Sequence, residues 1–280
     1  MSKRFVLNAD EFGMSKANNR AVLEGYNNGF LSSASICANG KAFNAAVNEI
    51  LPECPDLGVG VHLNIVSGKS LTKADMLTDK KDKFKTSFLN LWLNSKNDKL
   101  LYQIEQEFRV QIETVKKYAL VDHINSNKHI HAIPAIFEIV CKLAKEYEIP
   151  VVRTHYEEFY LVSGLKKHFT FSYPINVIKL ILLAHFTKVN KITASKYNVK
   201  TNDYLLGIAY SGMLDSATIA CAMEDLDSEG LVEAVLHPCC YIKSKTDKYF
   251  QEFRITQDRA LEDKIKRLGY DITNYKKCAG

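Results

Sequence analysis

The chain has no CxxC pair, no HExxH segment and no apolar run long enough to cross a bilayer. The first two absences remove the compact metal and redox signatures, so any metal site must be assembled from distant segments. Seven cysteines, at positions 37, 54, 141, 221, 239, 240 and 278, are scattered and odd in number. They read as reduced, mostly core residues rather than a disulfide framework. The longest apolar patch, Ile175 to Phe186, is interrupted by Asn176, Lys179 and His185, which argues against a membrane span. After Lys3-Arg4 the apolar run breaks at Asn8 and Asp10, too soon for a secretory signal, and a cytoplasmic location is expected. There is no basic helix, zinc-finger spacing or interleaving of aromatic and basic residues, so the formal charge of +5 does not call for nucleic acid. It is weak support for an anionic substrate or surface.

What the chain does have is a rhythm of strand then helix. Strands are expected at Phe5 to Ala9, Leu31 to Ala38, Leu57 to Leu63, Ala119 to Asn125, Ile149 to Arg153 and Leu231 to Leu236. Helices are expected after Ser15 as N-cap through Tyr26, at Phe43 to Leu51 closed by Pro52, at Lys99 to Tyr118, Pro134 to Tyr147, Asp215 to Asp225 and Gln257 to Leu268. This alternation belongs to an α/β barrel or a doubly wound sheet. A polar excursion from Ser67 through Asn97 is expected over the mouth of the site.

The chemistry-bearing residues follow or overlap these strands. Asp10 and Glu11 come directly after Phe5-Val6-Leu7, His62 ends Val59-Gly60-Val61, and Asn125, Asn127, His129 and His131 follow the fourth strand. Arg153 and His237 close two later ones. Parallel strands would bring all of them to one mouth. Two adjacent carboxylates beside a buried strand end need a partner or a cation, whereas His62 alone reads equally well as a core histidine. A carboxylate, an imidazole and a third ligand would hold a divalent ion that activates water, with a neighbouring carboxylate as base and a histidine as acid. The reaction class is metal-assisted hydrolysis of an amide or ester.

At the same residues the chain resembles the YdjC-like carbohydrate deacetylase family. Asn8-Ala9-Asp10-Glu11-Phe12-Gly13 is similar to its NADDFG, Gly60 to Asn64 to its GxHLN, His123 to His131 to its HLDSHxHVH, and His237-Pro238 to its late HP pair. The resemblance covers most of the chain and implies one deformed α/β barrel of the polysaccharide-deacetylase-like type across residues 1–280. It implies removal of acetyl from an N-acetylated sugar, with Asp10 as base, Glu11, His62 and Asn127 at the metal positions, and His237 as general acid. Arg153 would orient carboxylate or sugar groups, and Asn125, His129 and His131 would contact substrate or support the ligands. The ion would be Mg2+ or Zn2+, and the assembly a homodimer.

Two departures bear on activity: Asn127 stands where the family has a histidine, and Asn125 where it has an aspartate. An amide oxygen suits magnesium better than zinc. Metal affinity is then weak, or His129 has taken the ligand role, or catalysis is lost and the chain is a carbohydrate-binding protein. Extended spacing would put His129 on the face of Asn127, about 6 to 7 Å further on. We expect Asn127 to face the ion and His129 to support it. Finally, residues 159–202 contain no Asp or Glu but carry Lys166, Lys167, Lys179, Lys188, Lys191, Lys196 and Lys200. This stretch is expected to cover the active site, make a subunit contact or touch an anionic membrane surface. Its lysines motivate a phosphorylated sugar as an alternative substrate, with an O-acetylated sugar as another.

Overall fold

The computed structural model describes residues 3–162, 172–226, 229–240 and 247–279. Its strands are β1 (Lys3–Phe12), β2 (Ser33–Ile36), β3 (Gly58–Leu63), β4 (His123–Ser126), β5 (Val151–Val152), β6 (Tyr204–Leu206), β7 (Gly230–Leu236) and β8 (Asp271–Ile272). They form one sheet in the order β5-β4-β3-β2-β1-β7-β6, with β8 against the start of β1, and every ladder is parallel. The sheet curls into a deformed, open half-barrel of the polysaccharide-deacetylase-like type. Between its edges, β5 and β6, there is no continuous ladder among the described residues; they are joined by an isolated bridge, Val151 with Lys200, by side-chain bonds of Asn202 to the Thr154 backbone and by a bond from Leu205 N–H to Tyr156 C=O.

The helices are α1 (Lys16–Asn28), α2 (Phe43–Ala45), α3 (Phe88–Leu93), α4 (Asp98–Lys116), α5 (Pro134–Glu146), α6 (Ser172–Tyr197), α7 (Ser216–Asp225), α8 (Lys248–Ile255), α9 (Arg259–Arg267) and α10 (Tyr275–Ala279). Ser15 caps α1 by accepting from Asn18 N–H, as its position before the helix predicts. Among the described residues no helix is long and apolar enough to cross a membrane.

The strands read as continuous apolar runs, yet alternate residues face different surroundings. Leu7, Ala9, Ala34, Ile36, Val61, Leu63 and Ile124 belong to the main hydrophobic core. The opposite parity carries Asn8, Asp10, Ser33, Ser35, His62, His123, Asn125 and Glu233, all buried. Register places Ser35 beside Gly60, Gly60 beside His123, and His62 beside Asn125. Gly60 is required here: a Cβ would stand 2.3 Å from the His123 ring. A small apolar cluster of Val6, Val151, Leu231, Tyr275 and Cys278 accompanies this polar layer.

The excursion after β3 does not cover the mouth. It is pinned to α4, where buried Glu107 accepts from Leu71 N–H (3.0 Å) and Thr72 N–H (2.9 Å), and none of its residues lines the cavity described below. The acid-free stretch does reach that cavity, through Lys179 of α6, while Ile175, Ile178, Ile181 and Ile192 of the same helix are exposed. Lys166 and Lys167 lie outside the described residues.

Candidate functional site

Asp10 and Glu11 are neighbours in sequence, and on a regular strand their side chains would face opposite ways. The register between β1 and β2 slips by one residue between Ala9 and Phe12, and Glu11 takes φ of 65°. This bulge brings both carboxylates to one cavity of about 200 Å3. The cavity is also lined by His62, Asn127, Lys128, His129, Lys179, His237 and Lys248. A larger groove of about 660 Å3, walled by Asp215, Arg254 and Arg259 among others, contains none of the candidate residues.

Asp10 is gripped by Arg153, Nη1 to Oδ2 at 2.7 Å and Nη2 to Oδ1 at 2.8 Å. Oδ1 also accepts from Asn8 (2.8 Å) and Asn125 (3.0 Å), which leaves Oδ2 the less occupied oxygen. Burial alone would raise the Asp10 pKa, but the Arg153 guanidinium, helped by His62 and His237, holds it well below the usual carboxylate range. Arg153 is fully buried and also pairs with Glu233 through Nε (3.0 Å) and Nη2. The Tyr275 hydroxyl donates to Glu233 as well. Arg153 therefore orients a carboxylate, Asp10, and does not line the cavity.

His62 is 1% exposed, and its Nδ1 lies 2.7 Å from Asn125 Oδ1. With the amide oxygen as acceptor, the ring proton sits on Nδ1 and the Nε2 lone pair is left for the cavity. Burial is the largest influence on its pKa and lowers it, so the ring is neutral.

The fourth strand stops one residue earlier than even spacing requires. β4 ends at Ser126, and Asn127–Ala132 forms a short helical turn in which Lys128 (φ 50°) and His129 (φ 56°) are left-handed. Extended parity therefore fails beyond Ser126. Asn125 points into the polar layer, Asn127 and His129 line the cavity, and His131 does not. His131 instead bonds Ser126 Oγ and, through Nε2, the Arg153 carbonyl at 2.9 Å. His129 and His155 meet edge to face at 4.9 Å, and burial pushes both pKa values well below the ordinary histidine range.

Across the cavity, His237 is tied to Glu252, which accepts from its backbone N–H and lies 3.3 Å from Nδ1. Burial alone would lower its pKa, but the hydrogen bond and charge of Glu252, with Asp10 and Glu11, raise it to about 9. Lys179 is brought down to about 8 by burial.

Could these residues hold a divalent ion? Glu11 offers a carboxylate, His62 a free lone pair and Asn127 an amide oxygen, a set that suits a hard ion completed by water. It does not make a three-ligand zinc centre. Among the described residues, no group of three His, Cys, Asp or Glu is placed to hold a metal.

Glu233, Ser35, Glu252, Lys128 and Lys248 were not singled out as site residues by sequence reasoning, whereas Lys179 belongs to the acid-free stretch expected near the site. Only Glu233 carries a local signal, an acid inside Leu231 to Leu236 that must be buried and so must be paired.

A curled parallel sheet that gathers two acids and two histidines at its strand ends is an α/β fold of the polysaccharide-deacetylase-like type with its polar groups around one cavity. The chain matches the family described as YdjC-like protein over residues 4–267, and it belongs to that family. It is 36% identical over 155 residues to a carbohydrate deacetylase of Clostridium beijerinckii, covering 53% of this chain and 59% of that one. The chain thus spans about three fifths of that relative's length. A carbohydrate deacetylase of Vibrio cholerae is 26% identical over 255 residues, covering 84% of this chain and 99% of that one. In structure, the fold is similar to a protein of Enterococcus faecalis named for cellobiose-phosphate cleavage, with TM-score 0.74, 21% identity and full coverage of both chains.

Proposed function

We propose that this chain is a carbohydrate deacetylase that hydrolyses the N-acetyl group of an amino sugar. The supporting observation is a pair of groups on one cavity whose environments drive them apart: Asp10 is held anionic by Arg153, and His237 is held cationic by Glu252. Opposed pKa values at one site separate a base from an acid. Glu11, His62 and Asn127 would hold a divalent ion, which supplies polarisation of the acyl oxygen and a more acidic water. Asp10 Oδ2 takes the proton from water as its oxygen bonds to the acyl carbon. His237 gives its proton to the amide nitrogen as the C–N bond breaks, releasing acetate and the free amine. Arg153 keeps Asp10 aimed at the cost of some basicity. In this reading His129 contacts the substrate, and Asn125 and His131 support the residues around them.

Acetate release from N-acetylated sugar oligomers, assayed with Mg2+ and with Zn2+, tests this. Asp10→Asn should lower kcat by at least about a hundredfold, the range of a lost general base, with the circular dichroism spectrum unchanged. If sugar binds but no acetate appears with any divalent ion, the chain is a carbohydrate-binding protein instead.

A second reading concerns the substrate's charge. Lys128, Lys179 and Lys248 line the cavity together, and such a cluster favours an anionic substituent such as phosphate on the sugar. Under it, Lys179→Met should lower kcat/KM for a phosphorylated N-acetyl sugar about tenfold while sparing its neutral counterpart. Equal losses on both substrates would remove the charge argument.

A further inference from the structure

Behind His62 runs a buried chain of hydrogen bonds that begins at a carboxylate. Asp122 Oδ1 lies 2.6 Å from His123 Nδ1, and His123 Nε2 lies 2.8 Å from Ser35 Oγ. Ser35 Oγ is 2.6 Å from Asn125 Nδ2, and Asn125 Oδ1 is 2.7 Å from His62 Nδ1. All five residues are at least 97% buried. Although this contains the residue types of a nucleophilic triad, the serine faces the amides of Asn8 and Asn125 and lines no part of the cavity. Its oxygen is a relay point.

Counting hydrogens fixes the direction of every bond. The Asp122 carboxylate can only accept, so the neutral ring of His123, with one proton, carries it on Nδ1, and Nε2 is an acceptor. Ser35 has one hydroxyl proton, and His123 takes it. Ser35 Oγ can then only accept from the two amides that approach it, Asn125 at 2.6 Å and Asn8 at 3.1 Å. The other Asn125 Nδ2 hydrogen goes to Asp10 Oδ1 at 3.0 Å, a second group that only accepts. An Asn125 amide turned over would aim its oxygen at two acceptors and leave a buried NH2 facing the ring of His62. Leaving such groups unpaired costs roughly 1–3 kcal/mol each.

We propose that Ser35, held by His123 and Asp122, is a positioning residue that locks the Asn125 amide and thereby fixes the proton of His62 on Nδ1, presenting Nε2 to the cavity. The proposal extends the hydrolase reading, which supplies the use of that lone pair, but the tautomer itself is measurable without turnover. It also explains how an amide serves at position 125. A carboxylate there could accept from His62 with either oxygen, whereas an amide does so in only one of its two orientations, and the relay selects that one.

Long-range proton–nitrogen correlation spectra of the full chain with 15N-labelled histidine, recorded without added metal, read the His62 tautomer directly. The unaltered protein should show one His62 tautomer, with pyrrole-like Nδ1 and pyridine-like Nε2. Ser35→Ala should mix the two tautomers. His123→Phe keeps a ring over Gly60 and beside Tyr275, and Asp122 keeps the Lys276 N–H, but the change frees the Ser35 proton for Asn125 Oδ1; in the folded variant it should mix them too. Acetate release should fall about 10- to 100-fold in both variants, the usual loss when support behind a ligand histidine is removed. A His62 that keeps the single Nδ1–H tautomer in both folded variants, or that carries its proton on Nε2 in the unaltered protein, overturns the proposal. Absence of acetate release from every protein with the tautomer pattern as expected would instead count against the hydrolase reading alone.

Discussion

Arg153 turns two edges of its guanidinium to carboxylates, holding Asp10 at 2.7 and 2.8 Å and Glu233 at 3.0 Å, with no exposure to solvent. Two negative charges and one positive charge are thus buried together, and the tyrosine hydroxyl of Tyr275 completes the shell of Glu233. Such a group is weak evidence for net stability, but removing its centre strands two charges.

Arg153→Met should therefore destabilise the fold by roughly 3–5 kcal/mol at neutral pH, read as a shift of the urea midpoint. Because the folded-state pKa of Asp10 lies below its unfolded value, its contribution is fully present above about pH 4 and is lost as pH falls through the folded value. The gap between the two proteins should accordingly narrow in acid. A midpoint that does not move at pH 7 would show that Arg153 does not hold the two buried carboxylates in place.

The alkaline limb of activity should belong to His237. Its folded pKa of about 9 exceeds the ordinary histidine value, so in the folded protein the ring stays charged until pH rises through about 9. In a kcat/KM profile this appears as activity sustained to that pH and falling above it. Glu252→Gln removes the raising partner and should bring the limb down toward the ordinary histidine value near 6.5. A limb that stays in place excludes His237 as the acid.

Asn127→His would add a nitrogen donor where the cavity has an amide. Calorimetric titration with Zn2+ should show tighter uptake by at least about tenfold, comparable to what one ligand-supporting residue contributes, and Mg2+ should gain little. If zinc uptake is unchanged, position 127 does not face the ion.

How much of this was legible in advance depended on whether a residue's neighbours were local. Asp10, Glu11, His62 and His237 announce themselves as polar groups at the ends of apolar strands, and the structure brings all four to one cavity. Lys128 and His129 hid their turn because neither is glycine, although both adopt left-handed backbone. The strand before them therefore seemed to run on in register. β6 and β8 were not among the expected strands because β6 contributes only Tyr204–Leu206 and β8 is shorter still. α8 was missed, and with it Glu252, the residue that charges His237. Ser35 acts only through partners from other strands, and Asp122, although next to His123 in sequence, matters only because His123 reaches Ser35 on another strand, so no local pattern could mark their roles.

The placement of β1 has a kinetic consequence. This early strand lies inside the sheet, between β2 and β7, yet its neighbours β7 and β8 arrive after every other strand. Until Gly230–Leu236 docks, Phe5, Leu7 and Ala9 border an open ladder edge, and Arg153 lacks the second of its two carboxylates. Assembly is dominated by contacts distant in sequence, which makes it slow and leaves half-made sheets exposed to misassociation. Docking of β7 closes the open ladder of β1 and delivers Glu233 to Arg153 in the same step, so the edge of β1 is covered as the guanidinium gains its second carboxylate.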